Sequence, residues 1–130
     1  MVKLAHDRST AGGFVLVVPA SSPAAANGAE AKYVLITANH VLENTPGEET
    51  TVIFRKRSAE GEFSKEPMKL AIRKGDKALW VKHATEDVAV IAVTPPAGAD
   101  LPGLSIDLLA SDADWKQHRI GAGTNVTCLG

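Results

Sequence analysis

Two ionisable side chains in this sequence stand where an apolar run ends or begins. His40 follows the strand-forming run in "YVLITANHVLEN", and Asp87 directly precedes the apolar run "VAVIAV". An imidazole at the edge of a core costs free energy unless its ring nitrogens find partners. Strand ends are also where rigid scaffolds present catalytic groups. His40 and Asp87 are therefore the first candidates for a chemical role.

Each residue taken alone has an ordinary structural explanation. His40 could bond a backbone carbonyl at a strand end, and Asp87 could form an Asx turn or cap that introduces its strand. Taken together, a histidine followed some hairpins later by an aspartate matches the general base and the orienting carboxylate of a nucleophilic triad. The pair therefore predicts a base with its orienting partner.

The elements that must position this pair are short strands. Val, Ile, Phe, Trp and Thr concentrate in six runs, with Gly, Pro, Asn and Asp between them, which is typical of antiparallel hairpins. The predicted strands cover 12–19, 32–38, 50–57, 68–75, 77–84 and 87–94. Helix is expected to be scarce. The pattern predicts an all-β fold, a small six-stranded antiparallel β-barrel or sandwich, and a barrel would close its own edges.

The composition divides the chain into three parts. Residues 1–94 are the predicted N-terminal β-barrel, in which 19–32 forms a long exposed loop. Residues 95–123 have weak periodicity and begin with a cluster of Pro and Gly, so they are predicted to be a linker. Residues 124–130 are expected to begin a further strand, as at the start of a truncated second barrel.

The motifs around both candidates resemble one family. "GGFVLVVP", "YVLITANHVLEN" and "TEDVAVIAV" look like the first β-barrel of trypsin-like (chymotrypsin-fold) serine peptidases, particularly bacterial ones that need no cleaved N-terminus. The resemblance covers most of the chain. In that family the catalytic histidine follows a Thr-Ala-Ala or similar strand end, and the aspartate opens an Asp-Val-Ala-Val-Ile type of strand. The order matches here, except that Asn39 replaces the small residue directly before the histidine, so the packing behind the imidazole is expected to differ.

The resemblance implies a role for each residue. His40 would take the proton of a serine hydroxyl and return it to the leaving amine, while Asp87 would hold the imidazole tautomer. The family's serine lies in a Gly-x-Ser-Gly-Gly loop of a second barrel, and no such motif occurs in these 130 residues. None of the serines has that glycine frame: Ser9, Ser21, Ser22, Ser58, Ser64, Ser105 and Ser111. Cys128 is expected to be a small buried hydrophobe rather than a nucleophile.

Two functions follow as expectations. The first is the N-terminal half of a trypsin-like serine endopeptidase, inactive alone, whose substrate is a polypeptide once a second barrel completes it. The second is a non-catalytic β-barrel that serves as a binding or assembly module. In either case the exposed barrel face and an unpaired terminal strand are expected to favour self-association.

Composition argues against several partners. The net charge of −1 and an aromatic content of 5% give no reason to expect nucleic acid, and no apolar run is long enough to span a bilayer. No signal peptide is visible, so the compartment stays open. A single cysteine excludes an internal disulfide and a Cys-based zinc site, and no cofactor is expected.

The remaining charged clusters have plain interpretations. His83, Glu86 and Asp87 could suggest a metal site, but on an extended chain His83 and Asp87 would lie about 13 Å apart, so no metal is expected. His83 is expected near the rim of the site, and His6 and His118 are expected to be solvated. The basic runs 55–57 and 73–77 alternate with acidic residues and are interpreted as solvated strand faces.

Overall fold

The computed structural model describes residues 1–6, 9–19, 33–101, 103–125 and 127. These residues form nine strands: β1 Val2–His6, β2 Ser9–Val17, β3 Tyr33–Thr37, β4 Glu49–Arg57, β5 Phe63–Ala71, β6 Arg73–Lys74, β7 Lys77–Ala78, β8 Val81–Lys82 and β9 Ala89–Val93. The helices are α1 Asn39–Asn44, a 3-10 turn at Ile106–Leu108, and α2 Asp112–Gln117. None of the described helices has the length and apolarity to cross a membrane.

Seven of the described strands form one antiparallel sheet in the order β5-β4-β1-β2-β3-β9-β8. The sheet is open, and its two edge strands, β5 and β8, are consecutive parts of the chain joined through the small β6-β7 hairpin. Leu79 N–H donates to the carbonyl of Ile72 (2.9 Å), so this hairpin returns to its starting point. The connection therefore brings the end of β5 back towards the start of β8, which requires a strongly curved sheet.

One apolar core lies inside this curved sheet. Side chains alternate between inside and outside along β1 and β4, as the two-residue period of a strand requires. The inward residues of β1 to β5 and β9 meet in a single cluster with Leu42 of α1 and Ile72. Leu42 and Ile72 are fully buried, although neither lies in a strand. The helix that carries His40 is thus anchored in the core through Leu42.

The structure confirms the all-β class and corrects the predicted barrel. The expected closed six-stranded barrel is an open sheet of seven strands among the described residues. β1 was missed because Lys3 and His6 make "VKLAH" look polar, and the predicted strands 68–75 and 77–84 are broken into β5, β6, β7 and β8. The trace leaves the extended conformation at 79–80. Helix α1 was also missed, because six residues are too few to show a helical period.

The predicted linker, 95–123, lies against the sheet along part of its length. Val17 N–H donates to Leu104 O (2.8 Å), and Asp100 N–H donates to Arg55 O (2.7 Å). Leu101 packs against the core. Further on, Ser111 closes a capping box at the start of α2. Residues 124, 125 and 127 show no strand, and the rest of 124–130 and residues 20–32 of the predicted loop lie outside the described residues.

Gly13 in β2 is required by the close packing of its neighbours. A Cβ built at Gly13 would lie 2.9 Å from Leu35 Cδ1 and 3.0 Å from the carbonyl oxygen of Ile36. The carbonyl belongs to a paired strand and cannot move aside cheaply. At the adjacent Gly12 a Cβ would meet nothing within 4 Å.

We therefore expect Gly13→Ala to lower the free energy of unfolding by about 1–3 kcal/mol. Gly12→Ala, the matched control, should stay within about 0.5 kcal/mol of the parent chain. Urea denaturation of both variants measures the difference. Equal stability of the two variants would contradict the close approach described for β2.

Candidate active site

His40 and Asp87 meet because their strands are neighbours. β3 and β9 pair antiparallel with Thr37 opposite Ala89, so the end of β3 faces the start of β9. The pairing continues beyond the strands, since Asn39 N–H approaches Asp87 O at 3.4 Å. The two positions singled out from the sequence therefore come together at one end of the sheet.

The Asp87 carboxylate binds His40 through both of its oxygens. Oδ1 accepts the backbone N–H of His40 at 2.9 Å, and Oδ2 lies 2.5 Å from the imidazole Nδ1. An ionised carboxylate can only accept, so Nδ1 carries the proton. In the neutral imidazole, Nε2 is then the proton acceptor. Because the backbone contact fixes the carboxylate, this arrangement orients the ring and selects its tautomer.

The same contacts act on the charge of Asp87. The backbone N–H of His40, together with its ring, lowers the pKa of the Asp87 carboxyl below its usual range. Both side chains remain open to solvent, with 63% of the His40 side chain and 55% of the Asp87 side chain exposed. The carboxylate is thus ionised, the imidazole is oriented by it, and the pair is accessible to a reacting group.

The lowered pKa predicts a dependence of stability on pH. A carboxyl whose pKa is lower in the folded chain stabilises the fold above its unfolded pKa of about 4, and this contribution is lost as the pH falls through the folded value. We expect Asp87→Asn to be less stable than the parent chain at pH 5, with a gap that shrinks towards pH 2. Urea denaturation at several pH values measures the gap. Asp114, whose pKa is also lowered, is common to both chains and cancels, so the gap reports Asp87 together with its effect on the neighbouring Glu43. A gap independent of pH would contradict this expectation.

A guanidinium holds the other end of α1. Arg73 Nη1 donates to the carbonyls of Thr45 (2.6 Å) and Gly47 (2.9 Å), and Nη2 donates to those of Leu42 (2.7 Å) and Glu43 (2.9 Å). The last carbonyls of a helix have no partner within the helix. Arg73 supplies four donors to this end and favours the negative end of the helix dipole. The segment that carries His40 is therefore held at both ends from distant parts of the chain.

Trp80 connects the two ends of α1. Its indole Nε1 donates to Asn39 Oδ1 at 3.0 Å, and Arg73 Cζ lies 5.1 Å from the centre of its ring. The Asn39 side chain also hydrogen-bonds Glu43, which lowers the Glu43 pKa. Asn39 is the residue that departs from the motif of the peptidase family that the sequence resembles. Its side chain is thus bonded to Trp80 and Glu43, next to the histidine.

Arg73 and Trp80 were missed from the sequence. Arg73 was interpreted as part of a solvated basic face, but its guanidinium is committed to carbonyls about 30 positions away in the chain. A basic residue beside Lys74 carries no signal of such contacts, because they depend on how the β6-β7 hairpin packs against α1. The interpretation of the 73–77 run is therefore wrong for Arg73.

His83 organises the loop that carries Asp87. Its ring Nδ1 accepts the backbone N–H of Glu86 (3.0 Å) and lies 3.3 Å from the backbone nitrogen of Thr85. The backbone N–H of His83 donates to Val88 O (2.8 Å). The segment is therefore turned rather than extended, so the distance predicted for an extended chain does not apply. His83 is exposed, as predicted.

A groove of about 240 Å³ lies beside His40. Its walls include Leu4, His6, Thr10 and Val41, whereas Asp87 is not among its lining residues. His6 is half-buried in this wall rather than solvated as predicted, and His118 is exposed as predicted. The groove therefore offers space for a bound side chain next to the imidazole.

The described serines have other tasks. Ser58 Oγ accepts the N–H of Glu62 in a turn, while Ser105 and Ser111 cap the 3-10 turn and α2. Ser64 is exposed on β5. The side chain of Ser9 and the whole of Ser21, Ser22 and Cys128 lie outside the described residues. No hydrogen bond within the described part of the chain joins a hydroxyl to His40.

Two further findings concern metal ligands and similarity to known proteins. Among these residues no group of three or more His, Cys, Asp or Glu side chains could hold a metal ion. No protein-family model, curated protein or solved structure matches the chain.

Proposed function

We propose that this chain is the His/Asp-bearing half of a trypsin-like serine endopeptidase. The observation that carries the proposal is the double contact of Asp87 with His40, through the backbone N–H and through Nδ1. A cap or an Asx turn explains one contact to the backbone but gives no reason for a carboxylate to select the imidazole tautomer. Base orientation explains both contacts together.

The proposed reaction is hydrolysis of a peptide bond. His40 Nε2 accepts the proton of a serine hydroxyl while the serine oxygen attacks the peptide carbonyl carbon. The imidazolium is stabilised by Asp87 and gives the proton to the leaving amine, so that an acyl-enzyme remains. A water molecule then attacks the acyl carbon, and His40 takes the water proton and returns it to the serine oxygen as the acyl–serine bond breaks and the carboxyl product leaves. The serine and the oxyanion donors come from a second domain in this proposal.

The sheet order supports this function. A His/Asp pair at strand ends requires that the strand before the histidine and the strand after the aspartate be neighbours, and β3 and β9 are neighbours. The curved antiparallel sheet around one core is compatible with the first barrel of the trypsin-like fold, which we propose as the finer description. The groove beside His40 would take a substrate side chain.

The surroundings of the pair support a covering domain. Three apolar residues here are exposed. Val88, next to Asp87, is 39% exposed, Val81 on strand β8 is 75% exposed, and Leu79 is 43% exposed. Exposed apolar side chains close together commonly mark an interaction surface. A second domain packed here would cover them and exclude water from the reacting groups. The self-association predicted from the sequence remains a prediction about the same surface.

The first experiment is to read the native gene downstream of codon 130 to its stop and to express the complete product. The proposal expects a Gly-x-Ser-Gly-Gly motif there, hydrolysis of a casein substrate, and covalent labelling of the serine by a fluorophosphonate. His40→Ala should abolish the labelling. A reading frame without that motif, or labelling that is unaffected by His40→Ala, would sink the proposal and leave the non-catalytic binding module as the better description.

A further inference from the structure

The outward face of β1, β4 and β5 collects basic side chains. Odd-numbered residues of these three strands point outward, since most of their even-numbered neighbours are buried, among them Leu4, Val52 and Leu70. The register places Lys65 opposite Arg55, and Lys3 opposite Ile53. The basic members of this face are Lys3, Arg55, Arg57, Lys65 and Lys69. We call these five residues the basic face.

The strand register separates the basic residues from the acidic ones. Lys56 belongs to the opposite face, where it pairs with Glu66 at 3.7 Å. On the same side of the sheet, Glu49 pairs with Lys69 of the basic face at 3.1 Å, and the backbone of Asp100 hydrogen-bonds that of Arg55. Glu60 and Glu62 lie in the turn between β4 and β5. The four other cations have no ion pair with any described residue. A chain of net charge −1 therefore carries a concentrated positive surface.

Two of these cations are held in place by an aromatic ring. Arg55 Cζ lies 3.8 Å from the centre of the Phe63 ring, and Arg57 Cζ lies 5.7 Å from it. Stacking on Phe63 restricts the two guanidiniums without neutralising them. Each guanidinium has five N–H donors in a planar arrangement that suits carboxylates. The arginines are therefore preorganised, which reduces the entropy lost when an anion binds.

We propose that the basic face binds an extended acidic segment of a protein partner. Arg55 and Arg57 are two residues apart on one strand, a separation of about 6.8 Å. An extended peptide with acidic residues at alternate positions presents carboxylates on one side at the same repeat. Nucleic acid fits less well, because the chain has a pI of about 6.4 and carries acidic residues beside the basic ones. This inference does not depend on the proposed peptidase activity.

The test uses the full chain and a fluorescein-labelled peptide of alternating Glu and Gly. We expect saturable binding by fluorescence anisotropy that weakens as salt is raised. Arg55→Glu/Arg57→Glu should lower the affinity on the order of tenfold or more. Lys74→Glu/Lys77→Glu, on the separate β6-β7 hairpin, makes the same change in net charge and should leave the affinity within about twofold.

Specific outcomes would overturn the proposal. An equal loss in both double variants would show attraction to net charge alone. Equal binding of a Gln-Gly peptide would show that carboxylates are not recognised, and tighter binding of a single-stranded oligonucleotide or of phosphatidylserine vesicles than of the Glu-Gly peptide would show a different class of partner. If Arg55→Glu/Arg57→Glu fails to fold by circular dichroism, Arg55→Gln/Arg57→Gln replaces it, with the same expected loss.

Discussion

Replacing Asp87 with asparagine is expected to lower kcat of the proposed peptidase by about 10⁴-fold while the fold is retained. The backbone N–H of His40 would hold the amide oxygen, as it now holds Oδ1, so the amide NH2 group would face Nδ1. Nδ1 must then accept, and the proton moves to Nε2. With a proton on Nε2, the ring cannot receive one from the nucleophile.

The tautomer can be measured in this chain without any activity. We expect the ¹⁵N spectrum of the His40 ring to show a protonated Nδ1 in the parent chain and a protonated Nε2 in Asp87→Asn, near pH 8. Asp76→Asn, the same chemical change in an exposed turn away from the pair, is the control and should retain the parent pattern. An unchanged tautomer in Asp87→Asn would contradict the orienting role, whether or not the complete protein is a peptidase.

Arg73→Ala is expected to lower the free energy of unfolding by about 2–3 kcal/mol. The change removes donors from four carbonyls at the end of α1 and the cation from the Trp80 ring. Arg73→Lys should recover only a small part, since an ammonium cannot reproduce the planar fork. Lys74→Ala, an exposed neighbour, should cost no more than about 0.5 kcal/mol.

Urea denaturation gives these free energies, and the His40 ring spectrum adds a readout of position. If Arg73 positions the histidine, the Nδ1 proton signal of Arg73→Ala should broaden under conditions where the chain is still folded. Comparable stability of Arg73→Ala and Lys74→Ala would mean that solvent replaces the guanidinium at no cost. The Arg73 contacts would then not stabilise the fold.

The candidate pair could be chosen from the sequence because its signals are local. Apolar alternation marked β3 and β9, and ionisable residues at their ends stood out against it. Their contact in the structure follows from a pairing, Thr37 opposite Ala89, that no local signal contains. The type of residue and its place on an element were thus accessible, whereas its partner depended on sheet order.

The two missed elements, β1 and α1, lacked a local signal strong enough to recognise. β1 has five residues, one of them a lysine that faces solvent, so its alternation was too short to recognise. α1 is stabilised less by its own sequence than by Leu42 in the core, Asp87 at its start and Arg73 at its end. Short helices are marginal alone, and tertiary contacts decide whether they form.

The sequence by itself determined the all-β class, most strand positions and the two residues of the candidate pair, because residue periodicity and side-chain chemistry are local properties. Tertiary structure decided the open sheet, the tautomer imposed on His40 and the contacts of Arg73 and Trp80 with α1. It also decided that the basic residues of β4 and β5 share one face. Each of these depends on strand register and on contacts between residues far apart in the chain, which only the folded packing specifies.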